Sequence, residues 1–147
     1  MKGIKAYIAD KIFTGEQWLN DHAIIVAEGI ICGIIPADEV SSTLVTHDFY
    51  DRVIAPAFID LQIYGAHGRL LSVYPEADSL YKLNDYSRSG GAANCLPTVA
   101  TNSYQVFHQA IDAINDYWNK GGEGVLGIHL EGPWINPVKR GAHIESY

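Results

Sequence analysis

The residues with the clearest chemical potential are His129 and Glu131, which a single leucine separates. They come at the end of a β-forming run at 125–130 and are followed by Gly132 and Pro133. Because alternate side chains of a strand share a face, His129 and Glu131 are expected to point in the same direction. Proline has no N–H to donate, so the strand should end just after Glu131.

A carboxylate at the end of a buried strand has two interpretations. In barrels of parallel strands, the C-terminal strand ends carry the catalytic residues, which makes Glu131 a candidate metal ligand. Alternatively, Glu131 is an acid that accepts hydrogen bonds from loop N–H groups. For His129 we favour a structural role over a metal role, because a buried polar group must find a hydrogen-bond partner and a neighbouring strand offers one.

The elements that would position these residues change in character near residue 54. Residues 1–53 contain short apolar runs separated by glycine turns, which predicts antiparallel strands of a small β-sandwich. A tight hairpin is expected at Glu28 and Gly29.

Residues 54–147 alternate strands with helices. A strand at 58–64 precedes helical spacing at 78–89, a short strand that should end at Pro97, and an amphipathic helix capped by Asn102 or Ser103. The strand that leads to the H-x-E pair follows. This order predicts parallel βαβ units, the first three of a (β/α)₈ barrel, which needs eight strands and about 250 residues when complete.

Composition limits the classes of function. The 147 residues are 48% apolar with a net charge of −7, which suits a globular core and argues against nucleic-acid binding. The sequence has neither an apolar run of about 18 residues nor a signal-peptide pattern, so we expect no membrane association and a cytoplasmic location. Cys32 and Cys95 lie in apolar runs, which favours two buried free thiols over a disulfide.

Several motifs resemble those of one known family, the N-acetylglucosamine-6-phosphate deacetylases of the amidohydrolase superfamily. The matching segments are HLEGPWIN at 129–136, KRGAH at 139–143, KIFTG at 11–15, PAFIDLQ at 56–62 and CLPT at 95–98. The resemblance runs along nearly the whole chain in order. Proteins of that family are longer, so the chain is expected to correspond to their N-terminal part.

The resemblance implies an α/β fold in which the N-terminal part of a (β/α)₈ TIM barrel follows part of a small β-sandwich. It implies hydrolysis of N-acetylglucosamine 6-phosphate to glucosamine 6-phosphate and acetate in a homodimer with one divalent ion, zinc or iron. Glu131 would be the metal ligand, with two histidines and the catalytic aspartate beyond Tyr147. Ala142 and His143 would bind substrate, and an N–H of His143 could stabilise the developing oxyanion.

The end of the first barrel strand bears on the number of metals. Gln62 and Tyr64 occupy positions where many amidohydrolases carry H-x-H for a second metal, and an amide and a phenol are poor ligands for a divalent ion. Many deacetylases of the family have Q-x-N there, so Tyr64 departs from the pattern. Gln62 could contact ligand or bond inside the barrel. His67, on the loop after this strand, could touch substrate or a partner subunit, and no motif match gives it a specific role.

Two alternatives to the deacetylase stay open. The chain could be part of another amidohydrolase that acts on a C–N amide bond, or a non-catalytic fragment that assembles through an exposed β surface. Because a catalytic zinc needs about three protein ligands, the fragment is expected to be inactive alone.

Overall fold

The computed structural model describes residues 3–147 and separates the chain into two compact units, the first ending at Pro56 and the second spanning Ala57–Tyr147. Together they form a mixed α/β chain whose N-terminal unit is rich in sheet. Within residues 3–147, no helix is long and apolar enough to cross a membrane.

The first unit is a four-stranded sheet. Its strands are β1 (Ile4–Phe13), β2 (Trp18–Ala27), β3 (Ile30–Pro36) and β4 (Val45–Ile54), in the spatial order β3-β2-β1-β4. β1 and β3 pair antiparallel with β2, whereas β4 pairs parallel with β1.

The hairpin between β2 and β3 is confirmed. Glu28 and Gly29 both have positive φ, 51° and 82°, the conformation that a tight two-residue turn requires. One expectation about this unit is wrong: Cys32 on β3 is an exposed thiol rather than a buried one, whereas Cys95 in the second unit is fully buried. An apolar run alone does not show which face of a strand is covered.

The second unit is built from parallel strands joined by helices. Its main strands are β5 (Phe58–Ile63), β8 (Ala92–Ala100) and β9 (His129–Glu131), in the order β5-β8-β9. Helix α1 (Ala77–Ser89) lies between β5 and β8 in the chain, and α2 (Tyr104–Asn119) lies between β8 and β9. A two-residue hairpin, β6 (Gly65–Ala66) with β7 (Arg69–Leu70), follows β5.

The core of this unit lies between the sheet and the two helices. The apolar stripe predicted for α2 is buried at Phe107, Ala110, Ile114 and Tyr117. It packs with residues of α1 and β8, of which the most deeply buried are Leu80, Leu83, Cys95 and Val99. Ser103 caps α2, with its hydroxyl oxygen accepting from the N–H of Val106 at 3.4 Å.

The central strand β8 is longer than the sequence suggests. It was expected to end at Pro97, but it continues to Ala100. Pro97 is opposite Ile63, where the ladder with β5 already changes register after Asp60, so the missing N–H falls at an irregularity in the pairing. This extension carries the strand to the level of Glu131.

The segment that leads to β9 is tied down by the end of α2. The Tyr117 hydroxyl donates to the carbonyl of Glu123, and the Trp118 indole N–H donates to the carbonyl of Val125 at 2.9 Å. Val125 forms an isolated parallel bridge with Cys95, and regular pairing resumes at His129. The expected continuous strand at 125–130 is therefore a bridge followed by a three-residue strand.

We predict that Leu80→Ala destabilises the second unit by about 2–5 kcal/mol, because it removes a fully buried side chain from the core and leaves a cavity. Urea unfolding followed by circular dichroism measures the change. Leu126→Ala, the same substitution at a side chain that is 54% exposed, is the control and should cost under about 0.5 kcal/mol. Equal losses in the two variants would contradict this assignment of the core.

Candidate active site

The C-terminal ends of the three parallel strands lie side by side. In the ladder of β8 with β9, Ala100 is opposite Glu131, so these two strands end at the same level. Tyr64 follows directly after β5, and the expected break after Glu131 is observed. This edge therefore gathers side chains from all three strand ends, the place where parallel α/β folds build their sites.

The carboxylate of Glu131 is held on one side by a hydrogen-bond chain. The phenol of Tyr64 donates to Glu131 Oε2, and Gln62 Nε2 donates to the same phenol oxygen at 2.7 Å. The bond to Glu131 is the main cause that raises the pKa of Tyr64, followed by burial. The phenol therefore keeps its proton and remains a donor to the carboxylate.

His143 approaches the other carboxylate oxygen from the loop after β9. Its Nε2 lies 3.8 Å from Glu131 Oε1, and its Nδ1 lies 2.9 Å from the hydroxyl of Thr101. Arg140 Nη1 donates to the backbone carbonyl of His143 at 2.7 Å, which holds this part of the loop. His143 and Glu131 are 19% and 29% exposed, so their side chains face each other in a partly covered position.

Thr101 is a site residue that the sequence reasoning missed. It is buried, it lies just beyond the end of β8, and its hydroxyl donates to the backbone carbonyl of Glu131 at 3.2 Å. A Cβ on Gly132 would lie 2.1 Å from that hydroxyl oxygen. Thr101 directly follows the last residue of β8, a position typical of site residues in parallel α/β folds. Because the sequence predicted that β8 ends at Pro97, Thr101 was not recognised as a residue at a strand end.

Glu131, His143 and Tyr64 border an open cleft of about 400 Å³. All three residues proposed from the sequence for metal or substrate binding, Glu131, Ala142 and His143, line it. Tyr64, Ala100, Arg140 and Gly141 complete the lining. A concave site of this size with a few convergent polar groups suits a small molecule.

The other residues considered from the sequence lie apart from this cleft. His129 Nδ1 is 3.0 Å from the backbone carbonyl of Leu61, which gives its ring a structural partner. His67 packs edge-on against Tyr86, with the ring centroids 5.7 Å apart, on the hairpin after β5.

The donor atoms at the cleft suit a divalent ion only in part. A carboxylate oxygen and an imidazole nitrogen are both zinc or iron ligands, and Glu131 with His143 brings one of each to the cleft. Within residues 3–147, however, no group of three or more His, Cys, Asp or Glu side chains could hold a metal. The described residues could therefore supply some of the ligands of a metal site, but not a complete set.

We predict that Gly132→Ala distorts this site, because its Cβ would overlap the Thr101 hydroxyl while the backbone holds φ at 101°. The expected cost is about 1–3 kcal/mol in unfolding free energy. Gly15→Ala is a matched control, since Gly15 has φ of 102° and open space around it. A larger loss for Gly15→Ala than for Gly132→Ala would contradict the close approach.

Comparison with known proteins finds relatives that are amino-sugar 6-phosphate deacetylases. Residues 6–52 match the family model of the NagA composite domain. An N-acetylgalactosamine-6-phosphate deacetylase from Escherichia coli O157:H7 is 34% identical over 138 residues, which is 92% of this chain and 35% of that protein. An N-acetylglucosamine-6-phosphate deacetylase from Haemophilus influenzae is 29% identical over 136 residues, 92% of this chain and 36% of that protein.

The fold agrees with these relatives. The crystal structure of N-acetylglucosamine-6-phosphate deacetylase from Pasteurella multocida superposes with a TM-score of 0.91 at 26% identity, covering 98% of this chain and 38% of that one. The chain spans about a third of the length of the relatives it matches. The resemblance found in the motifs is confirmed, and it is to the N-terminal portion of these deacetylases.

Proposed function

We propose that this chain, which matches the N-terminal portion of the N-acetylglucosamine-6-phosphate deacetylases, forms part of an enzyme that hydrolyses N-acetylglucosamine 6-phosphate to glucosamine 6-phosphate and acetate. The observation that carries the proposal is the convergence of Glu131, Ala142 and His143 on one cleft at the ends of parallel strands. The names of the matched relatives support the substrate class.

Glu131 is the proposed ligand of one divalent ion, zinc or iron. Such an ion, when bound, polarises the acetamide carbonyl and lowers the pKa of a water. The contribution of this chain is to hold the carboxylate in place. Tyr64 fixes one of its oxygens, and the second oxygen faces His143 across the cleft.

Ala142 and His143 are the proposed substrate contacts. Both lie on the loop after β9 and line the cleft beside Glu131. The bond from Arg140 to the carbonyl of His143 restrains this loop, which favours a defined position for the imidazole. A substrate in the cleft would therefore meet a positioned ring at the metal-binding end.

We also propose which parts of a larger fold the two units of this chain form. The unit Ala57–Tyr147 would provide the first three β/α units of a (β/α)₈ barrel, and the preceding sheet would be part of a small β-sandwich. The exposed apolar residues Phe58, Ile59 and Leu61 on β5 suit a strand that further barrel strands cover. A cytoplasmic homodimer remains the expected state of the whole enzyme.

A second candidate substrate is N-acetylgalactosamine 6-phosphate. The relative of 34% identity is named for that sugar, and a second such enzyme from a Shewanella strain is 31% identical over 140 residues. The two sugars differ only at the configuration of C4. Comparing kcat/KM for both sugar phosphates on the complete enzyme separates the two activities.

The remaining alternatives have different signatures. Another amidohydrolase acting on a C–N amide bond would turn over a cyclic amide and neither sugar phosphate. A non-catalytic fragment would instead assemble with itself through its exposed β surface, with no metal retained by any assembly.

We predict that Glu131→Gln in the complete enzyme abolishes metal binding at the site and with it deacetylation, because a neutral amide replaces the carboxylate ligand. Elemental analysis after dialysis measures bound metal, and acetate release measures turnover. Glu123→Gln is the control, because its side chain is exposed and precedes β9, and the hydrogen bond to Glu123 from the described residues goes to its backbone carbonyl. An unchanged metal content in Glu131→Gln would rule out the ligand role.

We also predict that the 147-residue chain alone retains no tightly bound zinc and releases no acetate, since the described residues bring fewer than three ligands together. The chain is loaded with Zn²⁺, dialysed and assayed with N-acetylglucosamine 6-phosphate. One zinc held per chain together with saturable turnover would contradict this prediction and require a site shared between copies.

A further inference from the structure

We propose that the segment between Val125 and β9 contains a β-bulge, one residue more than the facing part of β8, and that this extra residue turns Glu131 toward the cleft. Leu126 and Gly127 form the bulge and are therefore positioning residues for the proposed reaction. The direction of the Glu131 side chain follows from strand pairing alone, whereas its consequence for metal binding rests on the proposed function.

The extra residue is found by counting between the two places where this segment pairs with β8. Val125 forms a parallel bridge with Cys95, and His129 is opposite Thr98. Two residues separate the partners on β8, but three residues separate them on the facing segment. A regular ladder has the same number on both strands. Two residues of the facing segment must therefore share one partner, which is the arrangement of a β-bulge.

The directions of the side chains agree with this count. Val125 and Ile128 both pack on the core between the sheet and the helices, although they are three positions apart. Side chains of a regular strand return to the same face only after an even number of positions, so the alternation breaks between these two residues. On β8, Cys95 and Val99 belong to the same core and are four positions apart, so that strand keeps its alternation.

The break in alternation determines which face Glu131 occupies. Glu131 follows Val125 by six positions, so a regular strand would turn its carboxylate into the core with Val125. With one extra residue, Glu131 is opposite Ala100 instead, and both residues line the cleft. The bulge thus allows one short segment to contribute an apolar side chain to the core and a carboxylate to the site.

The bulge lies at Leu126 and Gly127, opposite Leu96. The N–H of Leu126 donates to the carbonyl of Cys95 at 3.0 Å, so regular pairing reaches Leu126. A Cβ on Gly127 would lie 3.6 Å from Cδ2 of Leu96, which places Gly127 beside the same partner. Ile128 already packs on the core, so the irregular backbone is confined to these two residues.

Pro97 explains why the bulge forms at this level of the sheet. The N–H of Cys95 donates to the carbonyl of Gly124 at 2.8 Å, so Cys95 directs its backbone groups toward the segment that leads to β9. Pro97 is two positions further on and therefore directs its nitrogen to the same side, where it has no hydrogen to donate. A regular ladder would lack one hydrogen bond there, which lowers the cost of inserting an extra residue.

Deletions in the complete enzyme test the proposal, because removing one residue and removing two have opposite consequences. Deletion of Gly127 leaves a regular strand in which Val125 faces the core and Glu131 still faces the cleft. Deletion of Leu126 and Gly127 together leaves a regular strand with Val125 and Glu131 on the same face. We expect the complete enzyme to keep its bound metal after the single deletion and to lose it after the double deletion.

Elemental analysis after dialysis measures the metal, and circular dichroism shows whether each variant folds. If the segment were a regular strand without a bulge, the order would be reversed, since only the double deletion would then preserve the facing of Glu131. A folded single-deletion variant without metal, or a folded double-deletion variant that keeps it, would overturn the proposal.

A crystal structure of the complete, unmodified enzyme decides the question even where a deletion prevents folding. We expect the same two pairings with β8, with Leu126 and Gly127 both opposite Leu96. A ladder with equal spacing on both strands would overturn the proposal. An enzyme that shows the bulge but binds no metal and hydrolyses neither sugar phosphate would refute the proposed function and leave the direction of Glu131 established.

Discussion

The short parallel ladder between β8 and β9 is the constraint on which the site depends. It pairs Ala100 with Glu131 and therefore brings the two residues beyond those positions, Thr101 and Gly132, into contact. A slip of one residue would turn the side chain of Glu131 to the other face of the sheet. Three paired residues are too few to resist such a slip alone, so the register must be supported from elsewhere.

That support comes from the buried side of the unit. Tyr117 and Trp118 at the end of α2 bond to the carbonyls of Glu123 and Val125, which fixes the approach of the chain to β9. Both aromatic residues belong to a helix whose apolar stripe packs on α1 and β8. The position of Glu131 is therefore set by the packing of a helix whose residues never reach the cleft, which links core stability to site geometry.

The sequence predicts those features that depend on local pattern. The apolar stripe of α2, the hairpin at Glu28 and the end of a strand after Glu131 each follow from residue types at short spacing. Features that depend on a neighbouring strand do not. The continuation of β8 past Pro97 relies on an irregular ladder with β5, and the exposure of Cys32 relies on which face of the sheet is covered.

Thr101 shows the same limit at the site itself. Nothing in its immediate neighbours distinguishes it from any threonine near a helix cap. Its role exists because Glu131, thirty positions later, places a carbonyl and a glycine beside its hydroxyl. The sequence motifs identified Glu131 and His143 separately. In the structure both residues are hydrogen-bonded to the hydroxyl of Thr101, which belongs to a third segment.

Tyr64, where the sequence departs from the family's Q-x-N pattern, orients the carboxylate of the proposed metal ligand Glu131. A carboxylate has two oxygens with about four acceptor positions. The phenol, itself oriented by Gln62, occupies Oε2, while Oε1 faces His143 across the cleft. As the proposed ligand, Glu131 would then offer one oxygen to an ion rather than a bidentate pair. The phenol follows β5 at the position compared above with the second histidine of H-x-H, and there it donates to the Glu131 carboxylate instead of offering a nitrogen to a metal.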